Sequence, residues 1–267
     1  MDNTNAMSSA HQIDIAAAVN DQNTLESCLL RSPDIAKGGV TLRTYVGFKS
    51  AGLAYNKALA ESDKDYLVLV HQDVYLPAGY AQQLGIEIEK LEAIDPNWVV
   101  AGPIGLDRQN GLRGMVWASS LQRTIGERVA EPVQSICLDE LLLVVRRSSG
   151  VRFDEDLPGF HMFGTDIIQI ANAMGLRGYI IDTPVVHHSR PVVSLSGGYQ
   201  QAYRYMRAKW RRILPVHNLI CTVRTTDLWL TWRNYKLRKR HRGVTARREP
   251  TGDVVSIAKS IGFENAD

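Results

Sequence analysis

The sequence has little of what marks secreted or membrane-spanning chains. It contains three cysteines, Cys28, Cys137 and Cys221, and their odd number and wide spacing fit neither a disulfide framework nor a zinc-ligand pattern. It has no run of eighteen apolar residues, so we expect no helix that crosses a bilayer. The first residues, MDNTNAMSSAHQ, lack the basic start and apolar stretch of a secretory signal. We therefore expect a cytoplasmic protein.

The bulk composition is that of a folded protein. Hydrophobic residues make up 45% of the 267 residues and charged residues 22%, values typical of globular domains. Disorder throughout is excluded. The length allows one large domain, or one domain with an appendage.

Charge is distributed unevenly along the chain. Residues 207–248 contain thirteen Lys or Arg and one acid, Asp227. This pattern fits a solvated helix and tail, or a surface that meets an anionic membrane, an anionic acceptor or nucleic acid. Trp229 and Trp232 precede the basic residues, an amphipathic combination that suits peripheral contact with a membrane. Nucleic acid is the least favoured partner, because the segment contains no nucleic-acid-binding module.

Strands and helices alternate in the first hundred residues. The pattern predicts strands at 13–19, 40–46, 66–70 and 98–101, with helices after the first three. Asn23 is the predicted cap of the first helix, with Glu26 completing a capping box. The second begins near Ser50. The third has Pro77 in its first turn and packs one stripe, which consists of Tyr80, Leu84, Ile88 and Leu91. This order predicts an α/β fold with a mostly parallel sheet flanked by helices.

The second half of the chain is less regular. Residues 108–134 contain scattered glycines without a sustained period, and we predict a long loop with short pieces of structure there, of the kind that often serves as the lid of a site. Further strands are predicted at 140–146, 179–181 and 184–186, and a helix at 166–174. Tyr199, Tyr203, Met206 and Trp210 lie at helical spacing, which indicates one more packed helix.

The segment DYLVLVHQDVYLP contains the first functional signal. Its apolar run predicts a strand buried on both faces, and the strand ends at His71, Gln72 and Asp73. Ligands of open α/β sheets bind beyond the carboxyl ends of strands. These three residues are therefore predicted to line a binding crevice.

Asp73 has possible partners later in the chain. Asp166 lies beside a predicted helix start, and the pair His187-His188 follows the last predicted strand. One carboxylate and one imidazole suffice for a cation such as Mn²⁺ when a diphosphate and water supply the other ligands. Adjacent residues on a strand face opposite ways, so only one of the two histidines can serve. The combination fits chemistry on a nucleotide sugar.

Four blocks of sequence now support a family resemblance. They are the first strand with NDQNTLESCL, then SAGLAYNKALAESDKDYLVLVHQDVYLP, FDEDLPGFHMFGTDIIQIANAMGLRGYIIDTPVVHHS and AYRYMRAKWRRILP. Together they span residues 12–215. The chain resembles GT-A fold glycosyltransferases of the family 2 type, and it is similar to bacterial glycosyltransferase-like proteins with an HQDVYLP motif.

The resemblance implies an organisation and an activity. Residues 1–11 would be disordered, residues 12–215 would form a GT-A type, Rossmann-like domain, and residues 216–267 would form a basic, partly helical extension. The implied activity is transfer of a sugar from a nucleoside-diphosphate donor to a saccharide or other hydroxyl acceptor, with inversion and with Mn²⁺ or Mg²⁺, in polysaccharide biosynthesis. The alternative is a non-catalytic protein of the same fold that binds sugar nucleotides or glycans.

The resemblance also implies roles for single residues. His71, Gln72 and Asp73 occupy the place of the DXD motif, with Asp73 on the metal and diphosphate and His71 at the ribose. His187 or His188 would be a further metal ligand. The residues implied to meet the nucleotide elsewhere are Asn20, Asp21, Asn23 and Asn56.

Asp166 is the implied catalytic base, which takes the proton of the acceptor hydroxyl. Asp154, Glu155 and Asp156 are alternates for this role. The family has acids where this chain has His71 and Thr165. The non-catalytic alternative rests on these two departures.

Overall fold

Residues 13–245 and 248–264 are described by the computed structural model, and the predicted disorder of residues 1–11 lies outside them. The described residues form twelve strands and eight α-helices. The strands are β1 Ile13–Val19, β2 Thr41–Val46, β3 Tyr66–Val70, β4 Val74–Tyr75, β5 Trp98–Gly102, β6 Ile104–Asp107, β7 Leu112–Ala118, β8 Arg123–Glu127, β9 Val133–Leu138, β10 Leu142–Arg146, β11 Arg177–Ile180 and β12 Val185–His187. The helices are α1 Gln22–Ser27, α2 Pro33–Ala36, α3 Ala51–Glu61, α4 Tyr80–Ile94, α5 Phe163–Ala173, α6 Gly198–Lys209, α7 Leu228–Arg240 and α8 Val254–Ser260.

The strands form one sheet in the order β2-β1-β3-β10-β5-β11-β9-β6-β7-β12-β4, with β8 on β7. The predicted α/β class, a sheet flanked by helices, is confirmed. The sheet is mixed rather than mostly parallel: across the described residues, four strand pairs are parallel and seven antiparallel. Strand β10 runs antiparallel between β3 and β5, and the other five antiparallel pairs lie in the half of the sheet that contains β9, β6, β7, β8, β12 and β4.

Strand β3 is buried on both faces, as its apolar run predicts. Leu67 and Leu69 pack in one core with residues of α3, α5 and α6. Val68 and Val70 pack in a second core, on the other face, with residues of α1 and α4. All four side chains are at most 1% exposed. The sheet therefore lies between two helical layers.

The predicted loop at 108–134 is wrong, because twelve of its 27 residues form β7 and β8 and its last two begin β9. In β7, Gly114, Val116 and Ala118 are buried while Met115 and Trp117 are half-buried. Buried positions therefore alternate with half-buried ones along β7, as in other strands. Two of the three buried residues, Gly114 and Ala118, are small, so this alternation is weak in the hydrophobicity of the sequence. At Gly114 a Cβ atom would lie 2.0 Å from the carbonyl oxygen of Pro103. The close approach of the backbone at Gly114 to the backbone at Pro103 therefore requires glycine.

Two of the predicted helix starts are correct to within a few residues. The side chain of Ser50 accepts a hydrogen bond from the Leu53 amide and caps α3. Helix α4 begins at Tyr80 after Gly79, which has a left-handed conformation, and Pro77 lies outside it. The predicted stripe of α4 is confirmed, since Tyr80, Leu84, Ile88 and Leu91 are all buried.

Several of the described residues after 215 pack against the rest of the chain. Val216 and Val223 form a β-bridge, and Val223 and Leu230 are buried in the first core. The Glu264 carboxylate accepts hydrogen bonds from the Tyr75 hydroxyl at 2.5 Å and from the Ala78 amide at 2.8 Å. The predicted boundary at 215 stays a prediction, but the segment beyond it contributes to the folded body.

None of the helices in the described residues combines the length and the apolar character needed to cross a bilayer.

Candidate functional site

Three side chains with possible ligand atoms meet beyond the carboxyl end of β3. They are His71, Asp73 and His187, and their ligand atoms all lie within 4.8 Å of one another; we call them the His-Asp-His group. His71 and Asp73 follow β3, and His187 ends β12. Strand β12 pairs with β4 so that His187 is opposite Val74. This pairing brings His187 beside Asp73.

The side chains of the His-Asp-His group lie close enough to shift one another's pKa values. Asp73 Oδ1 lies 3.5 Å from His187 Nε2 and 3.9 Å from His71 Nδ1. Burial alone would raise the pKa of Asp73, but the two imidazoles lower it well below its usual range. Burial lowers the pKa of His71. For His187, the Asp73 carboxylate outweighs burial and raises the pKa. The group therefore favours an ionised carboxylate, the form that binds a cation.

The donor atoms of the group fit a divalent cation. Two imidazole nitrogens and one carboxylate oxygen lie close enough to share one ion. Imidazole suits transition metals, whereas Mg²⁺ prefers oxygen ligands in octahedral geometry. Of the two predicted cations, the group fits Mn²⁺ better than Mg²⁺.

His188 points away from the group. Its Nδ1 lies 2.9 Å from the Ser119 hydroxyl, while its backbone amide donates to the Asp73 carbonyl oxygen at 2.8 Å. Burial lowers the pKa of His188. Of the two histidines predicted as metal ligands, the structure thus places only His187 beside Asp73.

A cleft of about 550 Å³ opens beside the His-Asp-His group. The ends of β1 and β2 form one side, and Tyr55, Phe160 and His161 belong to its wall. Tyr45 and Phe48 also line it, with their ring centroids 6.1 Å apart. Flat apolar walls with a few polar groups are typical of small-ligand sites. The cleft and the group together form the candidate site.

Gln72 is held by the protein itself. Its Oε1 accepts hydrogen bonds from the Asn20 and Asp21 amides at 2.9 and 3.2 Å, and its Nε2 donates to Asn20 Oδ1 at 2.7 Å. Gln72 and Asn20 line the cleft, but their amide groups are engaged with each other. Gln72 therefore fixes the loop after β1 against the loop after β3.

The first helix is capped by Asp21, not by the predicted Asn23. Asp21 Oδ1 accepts a hydrogen bond from the Thr24 amide at 3.1 Å. Asn23 lies in the first turn of α1 with its side chain exposed. Because a cap residue must precede the helix, Asn23 cannot fill that role. Neither Asp21 nor Asn23 lines the cleft.

Asn56 is also bound by backbone groups. Its Nδ2 donates to the Phe153 carbonyl oxygen and its Oδ1 accepts from the Phe153 amide, both at 2.9 Å. Its Nδ2 donates in addition to Glu155 Oε1 at 3.0 Å. These contacts attach α3 to the segment before α5. The predicted contact of Asn56 with a nucleotide would have to displace them, and Asn56 does not line the cleft.

Asp166, the predicted catalytic base, lies away from the cleft lining. It is 1% exposed, and its two oxygens accept hydrogen bonds from Lys209 Nζ at 2.7 Å and from Trp210 Nε1 at 2.6 Å. Burial raises its pKa, against the effect of Lys209. A base must reach the proton that it removes. The arrangement instead attaches α5 to the end of α6.

The alternates for the base are placed differently. Asp154 accepts hydrogen bonds from Tyr205 and Lys209, and Glu155 binds Asn56. Asp156 is exposed. None of the three lines the cleft, so the structure does not bring an alternate to the site.

The sequence predictions lack one acid near the His-Asp-His group, Asp139, and its neighbour Glu140. Asp139 and Glu140 lie between β9 and β10, and the charge of Asp139 acts to raise the pKa of both His71 and His187. They precede β10, and residues before a strand reach the edge at which β3 ends only because β10 runs antiparallel to β3. The His71 amide donates a hydrogen bond to the Leu141 carbonyl oxygen at 2.9 Å, which joins the residues after β3 to those before β10.

The fold and the site define a class of protein: a mixed α/β chain with a His-Asp-His group and an aromatic cleft at the edge of its sheet. The chain is 30% identical over 187 residues to a protein of Fuscovulum blasticum called ATP synthase subunits region ORF 6, covering 68% of this chain and 74% of the relative. The chain belongs to the family of this protein. No family model matches the sequence.

Several solved structures resemble the chain at low sequence identity. The crystal structure of GalNAc-T7 with UDP, GalNAc and Mn²⁺ has a TM-score of 0.48 at 12% identity over 85% of this chain, which spans 54% of the GalNAc-T7 chain. The mannosyltransferase PcManGT of Pyrobaculum calidifontis, with GDP-Man and Mn²⁺, has a TM-score of 0.46 at 11% identity and coverages of 94% and 79%. The crystal structure of S. aureus TarS 1-349 has a TM-score of 0.45 at 11% identity, and the match covers 77% of this chain and 66% of the TarS chain. Similarity at this level assigns no activity.

Proposed function

We propose that the chain is a glycosyltransferase that moves a sugar from a nucleoside-diphosphate donor to a saccharide or other hydroxyl acceptor. One observation supports this proposal above all: the His-Asp-His group adjoins an aromatic cleft at the carboxyl ends of β1 and β3. A nucleoside diphosphate needs both features, since its base requires flat apolar walls and its phosphates require a cation.

The residues of the site would divide this work. Tyr45, Phe48 and the loop after β1 would hold the nucleoside, and Gln72 would keep that loop in place. His71, Asp73 and His187 would hold a divalent cation, which would supply positive charge against the leaving diphosphate. The sugar would then lie on the side of the His-Asp-His group away from the cleft, where it is accessible to an acceptor.

Inversion at the transferred carbon is part of the proposal, and it requires a base opposite the leaving group. We do not assign that base to Asp166, because Lys209 and Trp210 occupy both of its oxygens. The stereochemistry is measurable directly by nuclear magnetic resonance of the first product formed.

Thermal unfolding with nucleotides tests the proposal. We expect UDP, GDP or dTDP to stabilise the protein in the presence of Mn²⁺, less with Mg²⁺ and least without a divalent cation. Ligand at one hundred times its Kd adds about 2.7 kcal/mol to the free energy of unfolding. Asp73→Ala should abolish this gain. The matched control is Asp63→Ala, which removes a carboxylate that is 79% exposed and should leave the gain intact.

The alternative, a non-catalytic protein that binds sugar nucleotides or glycans, makes the same prediction for binding. It is favoured by one observation, the burial of Asp166 between Lys209 and Trp210. Turnover separates the two functions. If sugar nucleotides bind with Mn²⁺ but none is consumed with a panel of saccharide acceptors, the binding function is correct. Nucleotide stabilisation that is equal in Asp73→Ala would contradict both.

A peripheral membrane contact is a separate part of the proposal, and helix α7 would provide it. Leu228 is 77% exposed and Tyr235 64%, and the last turn contains Arg238, Lys239 and Arg240. Exposed apolar and cationic side chains on one helix suit the interface of an anionic membrane.

A further inference from the structure

A second cavity lies beside His187, the last member of the His-Asp-His group. Strand β7 runs parallel to β12 with Ala118 opposite His187, so the residues that follow these two strands meet. The Ser119 amide donates a hydrogen bond to the His187 carbonyl oxygen at 3.0 Å. The cavity has a volume of about 170 Å³, less than a third of the 550 Å³ of the cleft, and the two have no described lining residue in common. It is therefore a separate place for a smaller group.

Three segments of the chain build the wall of this cavity. They are the turn 119–122 after β7, residues 189–191 after β12 and the segment 241–251 after α7. Four of the lining residues carry a hydroxyl group, namely Ser119, Ser120, Ser189 and Thr251. We call it the hydroxyl cavity. Its lining is polar where the lining of the cleft is aromatic, so the two suit different chemical groups.

The serine hydroxyls are arranged to donate hydrogen bonds into the cavity. Ser189 Oγ donates to Ser120 Oγ at 3.3 Å, and Ser120 keeps its own proton for a ligand. Ser119 is 3% exposed, and its Oγ lies 2.9 Å from His188 Nδ1. An imidazole with its proton on Nδ1 donates to the Ser119 oxygen, which leaves the Ser119 proton for a ligand. These donors suit a ligand that is rich in acceptor oxygens.

The charged groups of the lining favour an anion. Arg248 and His241 line the cavity, and within the residues that the structure describes neither side chain has a hydrogen-bond or ion-pair partner. One acid, Glu249, also lines it, but its carboxylate pairs with Arg190 at 2.8 Å. The charge of Glu249 is thus balanced, while the guanidinium of Arg248 is not. A negatively charged oxygen would form charge-assisted hydrogen bonds with these groups.

The turn after β7 holds its serines in an unusual conformation. Gln122 has a φ of 51°, which is uncommon for a residue with a side chain. Its Nε2 donates to the Ser119 carbonyl oxygen at 2.6 Å, and the Leu121 amide donates to the Ala118 carbonyl oxygen at 3.0 Å. Backbone strain of this kind concentrates at functional sites. Here it fixes the turn that contributes two of the hydroxyl groups.

A phosphate monoester matches the hydroxyl cavity in size, charge and bonding. Its phosphate has three terminal acceptor oxygens, enough for hydroxyl donors on one side and the planar fork of an arginine on the other. Such a group could belong to a soluble ester or to a lipid headgroup. Both sources are reachable, because His241 directly follows α7, whose last turn contains three basic residues.

We propose that the hydroxyl cavity binds the phosphate group of a phosphate monoester, through Arg248 and His241 and through the hydroxyls of Ser119 and Ser120. This inference goes beyond the proposed function, because the cavity needs neither the cation nor a nucleotide to bind its ligand. It also gives the two adjacent histidines different tasks. His187 belongs to the cation site, whereas His188 orients Ser119 in the phosphate site.

Calorimetric titration without a divalent cation tests the soluble form of the ligand, with glycerol 3-phosphate and inorganic phosphate as probes. In the unmodified protein we expect a Kd of about 1 mM or tighter for glycerol 3-phosphate. Arg248→Gln should weaken this binding at least about tenfold, because a hydrogen bond between charged groups is lost. Arg242→Gln is the matched control, since it removes an exposed cation of the same segment outside the lining. It should leave the Kd within about twofold.

Sedimentation with vesicles tests the lipid form of the ligand. Phosphatidic acid presents a phosphate monoester, and phosphatidylserine presents a diester. If the ligand is a lipid, the protein should bind phosphatidic acid vesicles at least about tenfold more tightly than phosphatidylserine vesicles of matched surface charge. Arg248→Gln should remove this preference and Arg242→Gln should retain it. Binding of glycerol 3-phosphate without any vesicle preference would identify a soluble ester instead.

Three results would overturn the phosphate site. The first is no binding of either phosphate probe together with no preference for phosphatidic acid. The second is an equal loss in Arg248→Gln and Arg242→Gln, which would show that charge alone attracts the anion. The third is loss of phosphate binding in Asp73→Ala, which would place the phosphate at the His-Asp-His group.

Two further measurements keep the result separate from folding and from the proposed function. Ser119→Ala should also weaken phosphate binding, and its melting temperature shows whether the loss of a buried hydroxyl unfolds the protein. If it does, Arg248→Gln decides, because that side chain is exposed. The Kd of UDP or GDP in Mn²⁺ should stay within about twofold in Arg248→Gln. Failure of nucleotide binding in the unmodified protein would contradict the proposed function and leave the phosphate site standing.

Discussion

Asp73 Oδ1 lies 3.5 Å from His187 Nε2, although the two residues are far apart in the sequence. The antiparallel pairing of β4 with β12 produces this contact, because it sets His187 opposite Val74. The neighbouring His188 is directed to Ser119 instead. Two adjacent histidines thus have different surroundings, and this difference can be tested.

We expect His187→Ala to weaken the Mn²⁺-dependent binding of a nucleoside diphosphate at least about tenfold, because one of three ligand atoms is lost. His188→Ala should leave that affinity unchanged. The measurement is calorimetric titration of the diphosphate at constant Mn²⁺. An equal loss in both variants would contradict the assignment of His187 to the cation.

Local patterns were sufficient to predict several elements. The apolar run of β3, the Ser50 cap of α3 and the stripe of α4 all depend on residues near one another in sequence, and the structure confirms them. The direction in which strands pair is set by contacts between distant segments. For this reason the mixed character of the sheet was not predicted.

The candidate site shows the same limit for side chains. An amide group can bind a ligand or a backbone segment, and the sequence does not distinguish these uses. Gln72 binds the loop after β1 and Asn56 binds Phe153, so both serve the structure around the site. Asp139 and Glu140 were missed because they precede their strand, and only an antiparallel β10 brings them to the same edge as His71.

A second prediction concerns Asp166. We expect Asp166→Asn to reduce the free energy of unfolding by about 2 kcal/mol, the contribution of a hydrogen bond between charged groups. The loss stays moderate because Lys209 keeps its contact with Asp154 at 2.6 Å. Urea unfolding at neutral pH measures it.

Asp156→Asn, which changes an exposed carboxylate, is the control for Asp166→Asn and should change stability by less than about 0.5 kcal/mol. If Asp166→Asn is as stable as this control and yet abolishes sugar transfer, Asp166 is the catalytic base after all. Its hydrogen bonds to Lys209 and Trp210 would then open during the reaction.

The third prediction is a pH dependence of stability that arises from Glu140. Its pKa is about 8 in the folded protein against an ordinary value of 4.5, so between these values the folded state binds more protons than the unfolded state. Stability from this group therefore falls as the pH rises through this window, by at most about 1.4 kcal/mol per pH unit. The charge of Asp139 acts to raise the pKa of Glu140, and a hydrogen bond from the Met162 backbone acts to lower it. Burial raises the pKa of Cys137 and Tyr199, on which Glu140 acts, far enough that both remain neutral.

Glu140→Gln should remove this component of the slope, because Gln does not titrate. Glu89→Gln, on the exposed side of α4, should not. Urea unfolding at several pH values between about 5 and 8 measures the slope for each protein. Identical slopes in the unmodified protein and Glu140→Gln would show that Glu140 is ionised throughout this range.

The last prediction concerns the membrane contact proposed for α7. Trp229 and Trp232 stack with ring centroids 4.7 Å apart, and Lys236 lies 3.9 Å over the Trp232 ring. The aromatic pair is thus fixed on a helix that ends in three basic residues, 238–240. We expect the protein to sediment with vesicles that contain phosphatidylserine, but not with vesicles of phosphatidylcholine alone.

Each basic residue near an anionic surface contributes about 1 kcal/mol. Replacing Arg238, Lys239 and Arg240 by Gln should therefore weaken vesicle binding about a hundredfold. The control replaces three exposed cations outside α7, Lys37, Lys57 and Arg123, by Gln and removes the same net charge. Binding through α7 requires the first variant to lose far more affinity than the second. Equal losses would show that net charge alone attracts the protein, because a fixed helical contact depends on which cations are removed.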